Sequence, residues 1–228
     1  MIELSPKLPR YRAILAVDVE KSTARNNGAK VRLRRAMYKL VEQSFLIGGI
    51  WKEYRDSFVD RGDGLLSLIH PVDQIPKTLL LNTVVPAMSL LLARHNALDP
   101  GNRFRIRVVV HAGEVHYDAK APFGESLDTA CRLLDAPDVK LTLRGTSAPL
   151  VLVVSDHIYR TLVWQGYDGI DHRLYEPFVH VRGRGAPHVG WLHVPGECPA
   201  DAARRPRATD PMLTPYPLRW TSTDAKLS

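Results

Sequence analysis

Residues Tyr11-Arg12-Ala13-Ile14-Leu15-Ala16-Val17-Asp18-Val19 form a near-continuous apolar run of strand length that closes on an acidic residue. A strand apolar at successive positions, rather than at every second one, is buried on both faces and needs helical cover on each side of its sheet. Asp18 falls where this strand leaves the core. After the loop Glu20-Lys21-Ser22-Thr23, the apolar positions Val31, Leu33, Met37, Leu40, Val41 and Phe45 recur at helical spacing until Gly48-Gly49, which predicts a helix of about 20 residues.

Two short strand-like runs follow, Asp56 to Asp60 and Leu65 to Ile69, joined by Arg61-Gly62-Asp63-Gly64. The glycines suit the positive φ angles of a tight hairpin and put Asp63 at its tip. A second helix is expected from Gln74 to Asn96 with a kink at Pro86. A strand is expected from Phe104 to His111, running into a loop at Ala112-Gly113-Glu114-Val115, then a helix from Gly124 to Leu134 that stops near Pro137. Leu150 to Val154 is another buried strand, with Ser155 or Asp156 capping a helix behind it, and two last strands lie near Phe178 and Val189. This order gives an α+β fold, a ferredoxin-like α/β sandwich, over residues 1–196, followed by a Pro- and Arg-rich tail over 197–228.

The length of 228 residues buries an ample core without metals or disulfides. Cys131 and Cys198 lie far apart with no Cys-x-x-Cys or Cys/His ligand spacing, which fits a reducing cytoplasm. The N-terminus lacks the apolar core of a signal peptide, and the most apolar stretch, Leu79 to Ala93, is broken by Asn82, Pro86 and Ser89, so no membrane span is expected. The net charge of +7 suits a phosphate-bearing partner, yet the basic residues are spread along the chain and no recognised nucleic-acid motif accompanies them. His111 and His116 straddle a glycine without a third ligand and are read as structural.

Two carboxylates at strand ends, Asp18 and Asp63, are what a two-divalent-cation site for a polyphosphate requires, and the Val19 carbonyl adds a further hard oxygen. The loop with Ser22 and Thr23 would then offer backbone N–H groups to phosphate oxygens. On spacing alone a plainer reading stands beside this one: Asp18 ends a strand, and Asp-Gly is an ordinary hairpin turn.

Ile14-Leu15-Ala16-Val17-Asp18-Val19-Glu20-Lys21-Ser22-Thr23 resembles the metal-binding first strand of class III nucleotidyl cyclases. Arg61-Gly62-Asp63-Gly64 resembles their Gly-Asp hairpin, and Arg105 to Glu114 their strand running through an arginine to a His-x-Gly turn. Phe123 to Leu133 resembles their "Gly-x-x-Val-Asn-x-Ala-x-Arg" helix. The four segments occur in the family's order. The resemblance implies that Asp18, Val19 and Asp63 hold two Mn²⁺ or Mg²⁺ ions and that Arg132 neutralises the phosphoryl group in the transition state. It places Asp128 where most members have a ribose-orienting asparagine. It makes Arg184, in Val181-Arg182-Gly183-Arg184-Gly185, the counterpart of a phosphate-binding lysine; a solvated arginine on an edge strand is the alternative.

At the two positions by which adenylyl and guanylyl cyclases select a purine, this chain has Val59 and Ala121. Hydrogen-bonding partners for a purine edge are therefore missing. In this the chain looks like the Pycsar pyrimidine cyclases of bacterial anti-phage defence, which make cyclic UMP or cyclic CMP for a separate effector protein. That resemblance implies a homodimer with composite sites, Asp18 and Asp63 from one protomer and Asp128 and Arg132 from the other. UTP is the expected substrate and CTP the second choice. Tyr54 would sit beside the smaller ring or, alternatively, be a half-buried sheet aromatic. A purine cyclase with an atypical pocket and a catalytically dead nucleotide-binding domain are the remaining readings.

Overall fold

The computed structural model describes residues 8–181 and 188–198. Strand β1 (Arg10–Val19) lies in the interior of one mixed sheet. Its neighbours are β3 (Gly64–Ile69), which forms a hairpin with the short edge strand β2 (Val59–Asp60), and β4 (Ile106–Tyr117); both run antiparallel to it. Beyond β4 come β6 (Leu150–Ser155), parallel to β4, then β8 (His188–His193) and β7 (Glu176–Val181), giving the order β2-β3-β1-β4-β6-β8-β7. The two-residue β5 (Pro122–Phe123) pairs with the end of β4.

The first six elements, β1, helix α1 (Asn27–Ile47), β2, β3, helix α2 (Val85–Leu98) and β4, have strand order 2-3-1-4, the ferredoxin-like arrangement expected from the sequence. Alternation along β1 divides the core. Ala13, Leu15, Val17 and Val19 pack with Leu33, Met37, Leu40, Val41 and Phe45 of α1 and with Met88 and Leu92 of α2. Ile14 and Ala16 face the other way, onto helices α3 (Glu125–Asp135) and α4 (Pro137–Gly145). Joining parallel strands β4 and β6 requires a crossover. Helices α3 and α4 supply it and close the second face.

The structure departs from sequence expectation at several places. Val31 is exposed, because it lies about 200° around α1 from Leu33. The second helix begins near Thr78 rather than Gln74, since Pro76 precedes it, and a π-turn over Leu80–Val84 leads into Pro86, which cannot continue an α-helical ladder. The expected loop at Ala112–Val115 is strand, paired with β1 from Arg10 to Ala13. Asp56 to Phe58 lie outside β2. Pro137 starts a helix as well as ending one, a position where its missing N–H is harmless. The last helix, α5 (Asp156–Ile158), is capped by Ser155 as expected and continues as a π-turn over Tyr159–Val163. Among the described residues no helix is long and apolar enough to cross a membrane.

Candidate active site

Because even-numbered residues of β1 face α3, Asp18 emerges on that side at the strand's end. Gly64 stands opposite it in register, and a Cβ there would lie 2.3 Å from the Val17 carbonyl oxygen, so only glycine lets the β2–β3 hairpin lie this close. Gly62, with φ +81°, makes the turn. The Val19 N–H donates to the Asp63 carbonyl at 3.1 Å, tying the hairpin tip to the end of β1. Ser22 Oγ donates to Asp63 Oδ2 at 2.6 Å. Arg34 of α1 clamps the hairpin from outside by pairing with Asp60 and the Gly62 carbonyl, and this contact holds the Asp60 carboxyl down at about 2.

Burial pushes the Asp18 carboxyl above its usual range, and the charges of Asp63 and Asp135 push it the same way, while Arg107 opposes them. Arg107, opposite Asp18 on β4, is 8% exposed and donates through one terminal nitrogen to Asp18. Its Nε and other terminal nitrogen are buried without a hydrogen-bond partner, the latter 3.9 Å from Asp135. The pairing register is the signal that singles out Arg107 from its neighbours Arg103 and Arg105.

A cleft of ≈ 370 Å³ beside Asp63 is lined by Ser22, Thr23, Lys30, Leu33, Arg34, Arg61 and Gly62. It unites three residues expected from sequence with three cations that were not. Lys30 and Arg34 share a face of α1 at i, i+4 spacing, a signal hidden in the sequence by Arg32 and Arg35 alongside. Among the described residues no three His, Cys, Asp or Glu side chains form a metal-holding group. Asp18 and Asp63 nevertheless supply hard anionic oxygens, the donor type for Mg²⁺ or Mn²⁺ held by one or two carboxylates with substrate phosphates completing the shell.

Asp128 and Arg132 share the outer side of α3, whose inner side buries Leu127, Ala130, Leu133 and Leu134. Asp128 is exposed, and Arg132 pairs with Glu125 at 3.2 Å. Among the described residues no hydrogen bond or ion pair joins either residue to Asp18 or Asp63; Arg132 is instead committed to its own helix through Glu125. Val59 packs against the α3-side cluster together with Tyr117. Ala121 is exposed in the turn after β4, its N–H donating to Asp118. Tyr54 packs on the α1/α2 side, so the structure does not bring it together with Val59. Arg184 lies outside the described residues, as do 199–228 of the tail.

Sequence reasoning missed a polar cluster on the α3 side: Asp56 accepts from Tyr117 Oη at 2.6 Å, meets His70 Nε2 at 2.9 Å and lies 3.5 Å from the buried Arg12. The histidine of the expected His-x-Gly turn, His111, is half-buried, its Nδ1 2.7 Å from Ser155 Oγ, and desolvation lowers its pKa to about 4.

The fold is that of class III nucleotidyl cyclase catalytic domains. Solved structures that match include the guanylyl cyclase Cya2 (16% identity, 84% of this chain and 96% of that one, TM-score 0.57). An adenylate/guanylate cyclase/hydrolase from Silicibacter pomeroyi matches at 18% identity over 83% and 99% of the two chains with TM-score 0.58, and the adenylyl cyclase CyaB from P. aeruginosa at 12% over 85% and 98% with TM-score 0.55. No protein-family model and no curated protein matches the sequence.

Proposed function

We propose that the chain is a cytoplasmic nucleotidyl cyclase of the class III type. It converts a pyrimidine ribonucleoside triphosphate, UTP before CTP, to the 3′,5′-cyclic monophosphate and pyrophosphate. The observation that carries this reading is the tip-to-end lock of Asp63 on β1, which sets two carboxylates beside a basic cleft in this fold. Asp18, Asp63 and the Val19 carbonyl would hold two divalent cations, Mg²⁺ or Mn²⁺, which supply charge neutralisation for the polyphosphate and acidify the 3′-hydroxyl.

The chain's own residues orient the rest. Ser22 and Thr23 face the phosphates, and Lys30 and Arg61 draw the polyphosphate into the cleft. The 3′-hydroxyl gives its proton to water and its oxygen attacks the α-phosphorus; that P–O bond forms as the α–β anhydride breaks, and the electron pair leaves with pyrophosphate. Arg132 from the second protomer of a homodimer, with Arg184, absorbs the charge that develops on the phosphoryl oxygens. Asp128, also from the second protomer, accepts a hydrogen bond from a ribose hydroxyl. Val59 and Ala121 offer no side-chain hydrogen bond to a purine edge. The cyclic product then serves as a second messenger for a separate effector in antiviral defence.

The test is incubation of purified protein with Mn²⁺ and each of the four ribonucleoside triphosphates, with products identified by mass, beside Asp63→Ala. Cyclic UMP or cyclic CMP that vanishes in the variant supports the reading. Cyclic AMP or cyclic GMP would instead support a purine cyclase, the second reading, favoured by the matching structures, which include a guanylyl and an adenylyl cyclase. No product with any of the four would overturn the cyclase assignment.

A further inference from the structure

The loop that carries Ser22 has a second side. Behind it, toward the end of α2, lies a separate cleft of ≈ 560 Å³ in which Lys21, Arg25, Arg103 and Arg105 meet a single carboxylate, Glu20. Glu20 is committed: its Oε2 accepts from Arg105 Nε at 3.0 Å and from a terminal nitrogen of Arg105 at 2.7 Å. The other arginines are anchored by backbone carbonyls rather than by acids. Arg25 donates to the Arg103 carbonyl at 2.5 Å, and Arg103 Nε to the Asn96 carbonyl at 2.7 Å. Asn96 in turn grips Phe104 through both its N–H (3.0 Å) and its C=O (2.8 Å), so the segment bearing Arg103 and Arg105 is held in place. Lys21 occupies the left-handed region at φ 53°, costly for a residue with a Cβ.

Among the described residues, Lys21, Arg25 and Arg103 have no carboxylate partner. Carbonyl anchoring fixes a guanidinium in direction and leaves its charge uncompensated, with further N–H donors available. Like charges gathered in one cleft repel unless an anion joins them. We infer that this cleft is a binding site for a small anion bearing phosphate groups, distinct from the cleft at Asp63. The cavity is large enough for a short polyphosphate or a nucleotide, and the shared chemistry is the phosphoryl oxygen.

The site touches the candidate active site through four residues. Glu20 N–H donates to the Arg105 carbonyl at 2.9 Å and Val19 N–H to Asp63, while Lys21 adjoins Ser22, which holds the Asp63 carboxylate. An anion gripping Lys21 therefore orders the segment that positions Asp63.

The experiment needs neither metal nor nucleoside triphosphate, so its result is independent of the cyclase reading. Binding of inorganic tripolyphosphate, and separately of uridine 5′-monophosphate, is measured by calorimetry in chelator at near-physiological salt. Wild type is compared with Arg25→Ala/Arg103→Ala and with Lys30→Ala, which lines the other cleft. The inference expects the double variant to bind about tenfold or more weakly and to lose more affinity than Lys30→Ala, whose cleft contributes a binding step of its own. Hydrogen exchange of amides 20–25 should slow on binding in wild type and not in the double variant. Where the double variant fails to fold, Arg103→Gln, at an exposed position, repeats the comparison. Tighter binding of tripolyphosphate would identify a polyphosphate chain as the ligand, and of the monophosphate a nucleotide. Binding unaffected by the arginine changes, binding lost in Lys30→Ala instead, no binding of either probe, or displacement of both probes by duplex DNA at lower concentration would each overturn it.

Discussion

Gly113 decides how closely α3 lies on β4. A Cβ built there would sit 2.3 Å from Ser126 Oγ and 3.1 Å from Ser126 Cβ. The hydroxyl can rotate away, but the Cβ is fixed to the first turn of α3, so Gly113→Ala forces the helix outward by a few tenths of an ångström. Overpacking of this kind costs about 1–3 kcal/mol. The mid-range, about 2 kcal/mol, lowers the melting temperature of a chain this size by roughly 4–8 °C. Ser126→Ala removes the shorter contact and leaves the longer one, so in the double variant about half the loss should return, a coupling of roughly 1 kcal/mol against the 0.3–0.5 kcal/mol expected of independent sites. Urea unfolding of wild type, both single variants and the double variant measures it. If Gly113→Ala unfolds with wild type, or if the coupling lies within additivity, the close approach of α3 is not what requires glycine here.

Three further outcomes follow from the same geometry. The unfolded chain protonates His111 near 6.5 while the folded protein holds it neutral down to about 4, so stability must fall as pH drops through that window. Between about pH 7 and about pH 5 wild type should lose about 2 kcal/mol more than His111→Gln, and equal pH slopes in denaturant titrations would exclude this. Tyr117→Phe strips Asp56 of a 2.6 Å charge-assisted bond and, with Asp56 partly solvated, should destabilise the fold by about 1–2 kcal/mol; a change under about 0.3 kcal/mol in the same assay would mean the bond contributes nothing net. If sites are composite, Asp63→Ala and Arg132→Ala protomers, each inactive, should on mixing and re-equilibration recover about a quarter of wild-type activity, since half the dimers carry one intact site of two; zero recovery would place both residues in one protomer's site.

What the sequence made legible divides along physical lines. β1, the β2–β3 hairpin, α1, α3 and β6 were readable because periodicity, glycine turns and apolar runs are local signals. The length of β4 was hidden: Ala112-Gly113-Glu114 looks like a loop, and only pairing with Arg10–Ala13 of β1 holds it as strand. Pro86 predicted a disturbance in the second helix but not the π-turn that absorbs it. At the site, Asp18 and Asp63 could be named from strand-end position, and the hydroxyl of Ser22 from loop position. Arg107, Lys30 and the Asp56 cluster could not, because each depends on register or on which face of a helix meets which cleft. Tyr54 stands shortly before the hairpin in sequence, yet it ends a 3-10 turn over Lys52–Tyr54 and belongs with Phe58 to the α1/α2 cluster, on the other side of the sheet from Val59.

Register also explains why the site takes the form it does. Asp18 and Arg107 are directly opposed on adjacent strands, and both turn toward α3. Burial and the second acid beside it keep the Asp18 carboxyl raised even with Arg107 opposing them; the arginine, 8% exposed and with two nitrogens lacking a hydrogen bond, is in turn incompletely satisfied. Neither group is arranged for the stability of this chain alone. A divalent cation at the two carboxylates, as proposed above, would add positive charge beside Asp18 and relieve the first strain.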